Sequence, residues 1–285
     1  MAPVRFLSSW LRPLRRKMVN INDLPPDILE GVLSLVPGKE LVCSCRLVCS
    51  QWRDVVDMPA LWKRKCQQEG YLLTMSDRSI PDWKTTYFLC SLKRNLIKNP
   101  CGEKGLKFWE FKSKKKKVWK IEKAPEADVY FPHIRKCFVA YHLCTFKHQL
   151  VTLKNEGYWD ELMDETKPDI VVKDWYYFSP NYRYELCIKL LSADFSVLQE
   201  CRPEEFFRHQ GRDEDKWCEV SYTFHNYPAG VRHIRFIHGN EGWTYMRVTN
   251  SSVTVGPEVA QQREPPGTDS PVQRCDRQMK PCSVF

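Results

Sequence analysis

Apolar residues between Leu24 and Cys66 fall at steps of three and four, the signature of helices with one buried face. Pro25 and Pro26 suit a helix start, where a missing N–H costs nothing, and Ile28, Leu29, Val32, Leu33 and Val36 then repeat at helical spacing. Pro37-Gly38 ends that helix. Leu41 and Val42 open a second short one, Leu47, Val48, Trp52, Val55 and Val56 form a third stripe, and Leu61-Trp62 follow Pro59. A unit of about 45 residues is small for an independent core. Part of its apolar stripe is therefore expected to pack on a partner or on the rest of the chain. Trp83, Tyr87, Phe88 and Leu92 continue at near-helical spacing and mark a helical connection.

From Asn95 the period changes. Short runs rich in Val, Ile, Phe, Tyr and Trp alternate with turn residues: 107–111, 118–122, 136–145, 148–153, 169–176, 184–192, 217–225, 231–239 and 247–255. Nine such runs with little helical pattern predict an antiparallel β-sandwich, with one short helix over 156–164. The chain thus reads as an α+β multidomain protein. A basic disordered leader spans 1–20, a helical unit 21–66, a helical linker 67–94, the sandwich 95–257, and a polar, disordered tail 258–285.

Composition narrows the setting. With 42% hydrophobic and 13% aromatic residues, most of the chain can fold. It has no apolar run long enough to span a membrane, and MAPVRFLSSWLRPLRRKM lacks the apolar core of a signal peptide. Thirteen cysteines without regular pairing fit a reducing compartment, so the expected location is cytoplasmic. Cys43, Cys45 and Cys49 read as small buried apolar residues. Asn250-Ser251-Ser252 matches a glycosylation acceptor but reads as a strand-end turn. The net charge is +9, and residues 84–123 alone carry 13 Lys plus Arg against three Glu and no Asp. Their centre, Lys112-Ser113-Lys114-Lys115-Lys116-Lys117, could meet nucleic acid, an anionic membrane or an acidic protein, or could be a solvated hairpin tip.

The Leu24-Pro25 opening, Pro37, the Cys45-Arg46-Leu47-Val48-Cys49 run, Trp52-Arg53 and Leu61-Trp62 together resemble an F-box. That resemblance implies docking to a Skp-type adaptor, and through it to a cullin and a RING subunit. The implied adaptor-binding residues are Leu24, Pro25, Ile28, Leu29, Val32, Leu33, Pro37, Leu41, Leu47, Val48, Trp52, Leu61 and Trp62. A second resemblance covers roughly 95–257. Asn95-Leu96-Ile97-Lys98-Asn99-Pro100-Cys101-Gly102, Glu156-Gly157-Tyr158-Trp159, Val172-Lys173-Asp174-Trp175, Phe224-His225-Asn226-Tyr227 and Arg247-Val248-Thr249-Asn250-Ser251-Ser252-Val253 look like an F-box-associated domain.

Together the two segments make the chain similar to the sugar-chain-recognising F-box proteins. The resemblance implies a β-sandwich that receives substrates, some of them high-mannose N-glycoproteins returned to the cytosol for degradation. A sugar site needs aromatic faces and convergent polar groups. By resemblance the candidates are Tyr141, Asn181, Trp243, Tyr245 and Arg247, with Trp159 and Trp175 expected in the core. The family's Tyr-Trp pair is missing where His238-Gly239-Asn240-Glu241 runs straight into Gly242-Trp243. The expectation is therefore weak or absent glycan binding.

Other chemistry is thinner. Cys137, His142, Cys144 and His148 lie close, but strand alternation turns Cys137 away from the rest, so no metal site is expected. Nothing resembles a phosphate-cradling Gly-rich loop or a nucleophile elbow. The polypeptide is expected to be non-catalytic and to need no cofactor, the ligase chemistry residing in partner subunits. The competing reading is a lectin-like or nucleic-acid-contacting module acting without a ligase. Nucleic acid is not the expected partner.

Overall fold

The computed structural model describes residues 21–71, 82–112, 118–124, 134–140, 145–178, 184–203, 216–240 and 245–257. The helical unit comprises α1 (Pro26–Leu33), α2 (Gly38–Cys43), α3 (Ser50–Asp57) and α4 (Pro59–Gln68), with a 3-10 turn at Cys45–Leu47. Prolines at the starts of α1 and α4 preset φ where no donor is needed. Leu29, Leu33, Leu41, Val55, Val56, Leu61, Trp62 and Cys66 close a core around Tyr87. The Trp62 indole donates to the Val56 carbonyl at 2.7 Å, so its polar edge is satisfied inside. Lys65 is buried because its ammonium donates to the Ser34 and Val36 carbonyls at 3.2 and 2.9 Å, closing the end of α1. Gly38 is required, since a Cβ there would lie 2.4 Å from Cε1 of Tyr87.

Helix α5 (Trp83–Leu92) starts on Asp82, whose side chain accepts from the Lys84 N–H at 2.9 Å. It serves two cores. Tyr87 and Phe88 pack with the helical unit, while Leu89 and Leu92 pack with the sandwich.

The sandwich strands are β1 (Glu110–Phe111), β2 (Trp119–Lys123), β3 (Lys136–Ala140), β4 (Thr145–Thr152), β5 (Ile170–Phe178), β6 (Glu185–Leu191), β7 (Val197–Cys201), β8 (Lys216–Phe224), β9 (His233–Asn240) and β10 (Met246–Val255). They form two five-stranded antiparallel sheets, ordered β1-β4-β9-β6-β7 and β2-β3-β10-β5-β8. Alternate residues such as Phe138, Val172, Ile188, Phe236 and Val248 fill the space between the sheets. No helix among the described residues is long and apolar enough to cross a membrane.

Several expectations shift. β7 had no counterpart in the sequence reading, because its edge position leaves Val197 exposed and breaks the alternation. The run 107–111 shrinks to two paired residues because Asn99 curls the chain: its side chain donates to the Gly105 and Lys107 carbonyls at 2.9 and 3.0 Å. The helix expected over 156–164 is instead a 3-10 turn at Leu153–Glu156 and a π-type turn at Leu162–Thr166. Gly157, at φ 99°, separates them. Asn250 is not at a strand end. It sits at φ 51° in a bulge within β10, where the register shifts between Thr249 and Ser252. Cys43 is exposed and Cys45 and Cys49 are half-buried, so these three do not fill the core. The leader, the tail and Lys114 to Lys117 lie outside the described residues.

Candidate functional site

Two regions of the fold carry the candidate residues. The first is the surface of the helical unit. On α1, Ile28 and Val32 stand four residues apart on one exposed face, with Leu35 exposed just past the helix end, while Leu29 and Leu33 lie on the adjacent, buried face. Leu35 is 77% exposed, and Leu47 on the 3-10 turn is 74% exposed with Val48 beside it. Isolated exposed apolar residues are ordinary, but this many on so small a unit form an unusually apolar surface for a lone chain. Of the residues expected at an adaptor, Pro25, Ile28, Val32, Pro37, Leu47 and Val48 are exposed. Leu24 and Trp52 are half-buried, and the Trp52 indole donates to Asn22 Oδ1 at 2.9 Å. Leu29, Leu33, Leu41, Leu61 and Trp62 are buried in the unit's own core, so they hold the exposed face in place instead of forming it. Leu35 and Met58 are further exposed apolar residues of the unit that the sequence reading missed; Leu35 was findable as the seventh residue after Ile28.

The second region is one end of the sandwich. The register pairs Ala140 with Met246, Thr145 with Asn240, and Glu185 with Gly239. Those pairings bring the end of β3, the starts of β4, β6 and β10, and the end of β9 to a common end. Tyr141, Asn181 and Trp243 are each flanked by these strand ends but lie outside the described residues, as do His142 and Cys144. Tyr245 and Arg247 are described and meet each other. The Arg247 guanidinium lies 4.7 Å from the Tyr245 ring centroid and 5.5 Å from that of Tyr177. Glu122 ties them down: Tyr245 donates to it at 3.1 Å and Arg247 pairs with it at 3.6 Å. Tyr245 packs with Trp175 and Tyr177 on the outer face of the second sheet, over Cys137, Val139 and Trp217, and Arg247 lies over the Tyr177 ring beside it. Trp175 is thus half-buried on that face, and Trp159 is partly exposed, edge-on to Phe88 at 5.9 Å.

Behind this end lies a buried polar cluster that the sequence reading did not find. Asp174 on β5 accepts hydrogen bonds from Tyr184 and Ser251, the latter at 2.8 Å, and bonds His238 Nδ1. His238 stacks on Trp109 at 4.9 Å. Burial, with Lys147 nearby, pushes the His238 imidazole down to about 4. Lys147 on β4 is fully buried against the rings of Trp109 and Phe138, and burial holds its amine well below the usual lysine range. Burial and Asp174 together push the Tyr184 phenol well above its ordinary value. Ser251 donates to the carboxylate and not to the imidazole, and all three groups are closed to solvent. The set therefore lacks the geometry of a nucleophile–base pair. Period-two counting from Val151 on β4 puts Gln149, Lys147 and Thr145 on the inner face, which is the signal that would have exposed Lys147.

Residues 21–68 match the F-box-like family and residues 87–255 match the family described as the F-box associated region. The chain is 46% identical over 263 residues to F-box only protein 6 of Bos taurus, covering 87% of this chain and 97% of that one. It is 46% identical over 251 residues to F-box only protein 44 of Homo sapiens, covering 84% and 98%. It is 41% identical over 250 residues to F-box only protein 2 of Bos taurus, covering 83% and 84%.

Proposed function

We propose, for a chain that belongs to the F-box proteins bearing an F-box-associated region, the role of substrate receptor in a ubiquitin ligase of the Skp–cullin–F-box type. The observation that carries this reading is the two-faced α1, whose Ile28 and Val32, with Leu35 just past its end, stay exposed over a closed core. An adaptor of the Skp type would cover that face and Leu47-Val48, and would bring a cullin and a RING subunit. The polypeptide itself supplies proximity, raising the effective concentration of substrate lysines near the charged ubiquitin-conjugating enzyme. Ten free thiols among the described residues fit a reducing, cytosolic setting; in Cys66, burial pushes the thiol up to about 12 and keeps it unreactive.

Truncating well-placed interface anchors commonly costs more than about 2 kcal/mol each. The combined variant Ile28→Ala, Val32→Ala, Leu47→Ala, Val48→Ala should lose adaptor co-purification while its melting temperature stays near that of the parent. Undiminished adaptor capture by that variant would sink the assignment.

For the substrate, family resemblance supports N-glycosylated proteins, but the residues support only weak sugar affinity. The Tyr-Trp pair is absent, and Tyr245 and Arg247 are engaged with Glu122. Each aromatic contact is worth about 0.5–1.5 kcal/mol beyond its area, so losing two weakens binding by up to roughly a hundredfold. High-mannose ribonuclease should bind weakly or not at all by titration calorimetry. Micromolar binding that disappears on Tyr245→Ala would show that the shortened loop rebuilds a pocket.

A further inference from the structure

Five exposed cations among the described residues, Lys104, Lys107, Lys112, Lys123 and Arg135, lie on or next to strands at which the two sheets leave an edge open. β1 is the edge of the first sheet and β2 the edge of the second, and among the described residues neither pairs with a strand on its outer side. The rings of Phe111 and Trp119 approach to 6.3 Å, so the two edges form one flank. The turn at 99–108 lies against the same flank: a Cβ on Gly102 would come within 2.9 Å of Ile121, and Glu103 pairs with Lys136 at 3.5 Å. Of its carboxylates, Glu103 is paired with Lys136 and Glu122 with Arg247, while Glu110 stays exposed 3.8 Å from His148, whose imidazole burial keeps neutral at pH 7. Lys104, Lys107, Lys112, Lys123 and Arg135 are exposed and form no ion pair with a described residue. Phe108, held at φ 73°, adds one exposed aromatic face.

We infer that this flank docks an acidic, extended peptide segment, which adds to the β2 edge while its carboxylates meet those five cations. The inference rests on the receptor reading for its biological sense, because the peptide would belong to a substrate. Charge alone would serve nucleic acid equally well. The open five-residue strand favours a peptide, since unpaired backbone N–H and C=O groups are matched only by another main chain. Lysines near an edge also discourage strand-to-strand aggregation. That simpler role predicts no affinity for an acidic peptide.

The test uses the full-length chain and a fluorescein-labelled octaglutamate peptide, followed by anisotropy. Binding should weaken at least about tenfold between low and high salt, and again at least about tenfold in the variant K104Q, K107Q, K112Q, K123Q, R135Q. An alternating Glu-Pro peptide of equal charge, whose prolines cannot donate to a strand, should bind more weakly than octaglutamate. Equal affinity for the two peptides, no effect of the five substitutions, or tighter binding to a DNA duplex of equal charge would each overturn the inference. Adaptor capture by the unmutated chain, measured on the same preparation, tests the receptor reading separately.

Discussion

The Lys147 Nζ lies 3.2 Å from the Trp109 ring centroid and 3.6 Å from that of Phe138, with no hydrogen-bond acceptor among the described residues. An amine buried without hydrogen bonds is costly whether or not it keeps its proton. Lys147→Met keeps the length and removes the amine. Its unfolding free energy in urea at pH 7 should rise by about 1–3 kcal/mol; a fall of similar size would mean that the caged amine is net stabilising. Both Lys147 and His238 hold protons less tightly when folded than when unfolded. The unfolded chain therefore binds more protons, and stability rises with pH. For His238 the window runs from its depressed value of about 4 up to the ordinary 6.5. Its penalty is absent above that window and complete below it, roughly 3 kcal/mol from pH 7 to pH 4. Asp164, held down at about 2 mainly by its hydrogen bonds with Arg232, contributes stability above the usual carboxylate range that is lost as pH falls through 2. Urea titrations should show two acid segments, and His238→Gln should flatten only the upper one. Lys147 was legible only in outline, since strand alternation gives a side but not what a lysine meets there.

At the scale of elements, the helices of the first unit were readable because three-and-four spacing and proline starts are local signals. Which face stays exposed was not readable. Both faces of α1 are apolar, and only the packing of Leu29 and Leu33 against Trp62 and Val56 leaves Ile28 and Val32 outside. Trp62→Ala should therefore cost about 3–5 kcal/mol and melt the helical unit, whereas Ile28→Ala should leave the urea midpoint nearly unchanged and weaken only adaptor capture. Equal destabilisation by both would mean that α1 is buried on both sides. In the sandwich, the strands that alternate cleanly matched their runs to within a few residues. β10 breaks the pattern at Asn250, where the left-handed bulge lets Ser251 turn inward to Asp174. A sequon there looked like a turn because Asn and Ser are turn residues; long-range pairing overrode that local preference.

At the scale of the molecule, the two cores are coupled through α5 and the residues after it. Tyr158 donates to the Leu92 and Val255 carbonyls at 3.1 and 3.3 Å, and Arg94 pairs with Glu156 at 2.6 Å. Asn95 donates to the Ser251 carbonyl at 2.9 Å and accepts from the Ile97 and Val253 N–H groups at 3.0 and 3.1 Å, fixing the chain to β10 as it leaves the helix. Lys93 reaches the Pro257 carbonyl, and a Cβ on Gly157 would come within 2.8 Å of Leu92. These contacts leave no slack between the helical unit and the sandwich. A receptor acts by holding its substrate at a set distance from the ubiquitin donor, and effective concentration falls when that span becomes variable. Inserting Gly-Ser-Gly-Ser between Lys93 and Arg94 should leave adaptor capture intact, because the helical core keeps Tyr87 and Phe88. In a reconstituted ligase it should lower ubiquitin transfer to a sandwich-bound substrate by about tenfold or more. Transfer at the parental rate, with adaptor binding retained, would show that the tight junction serves stability alone.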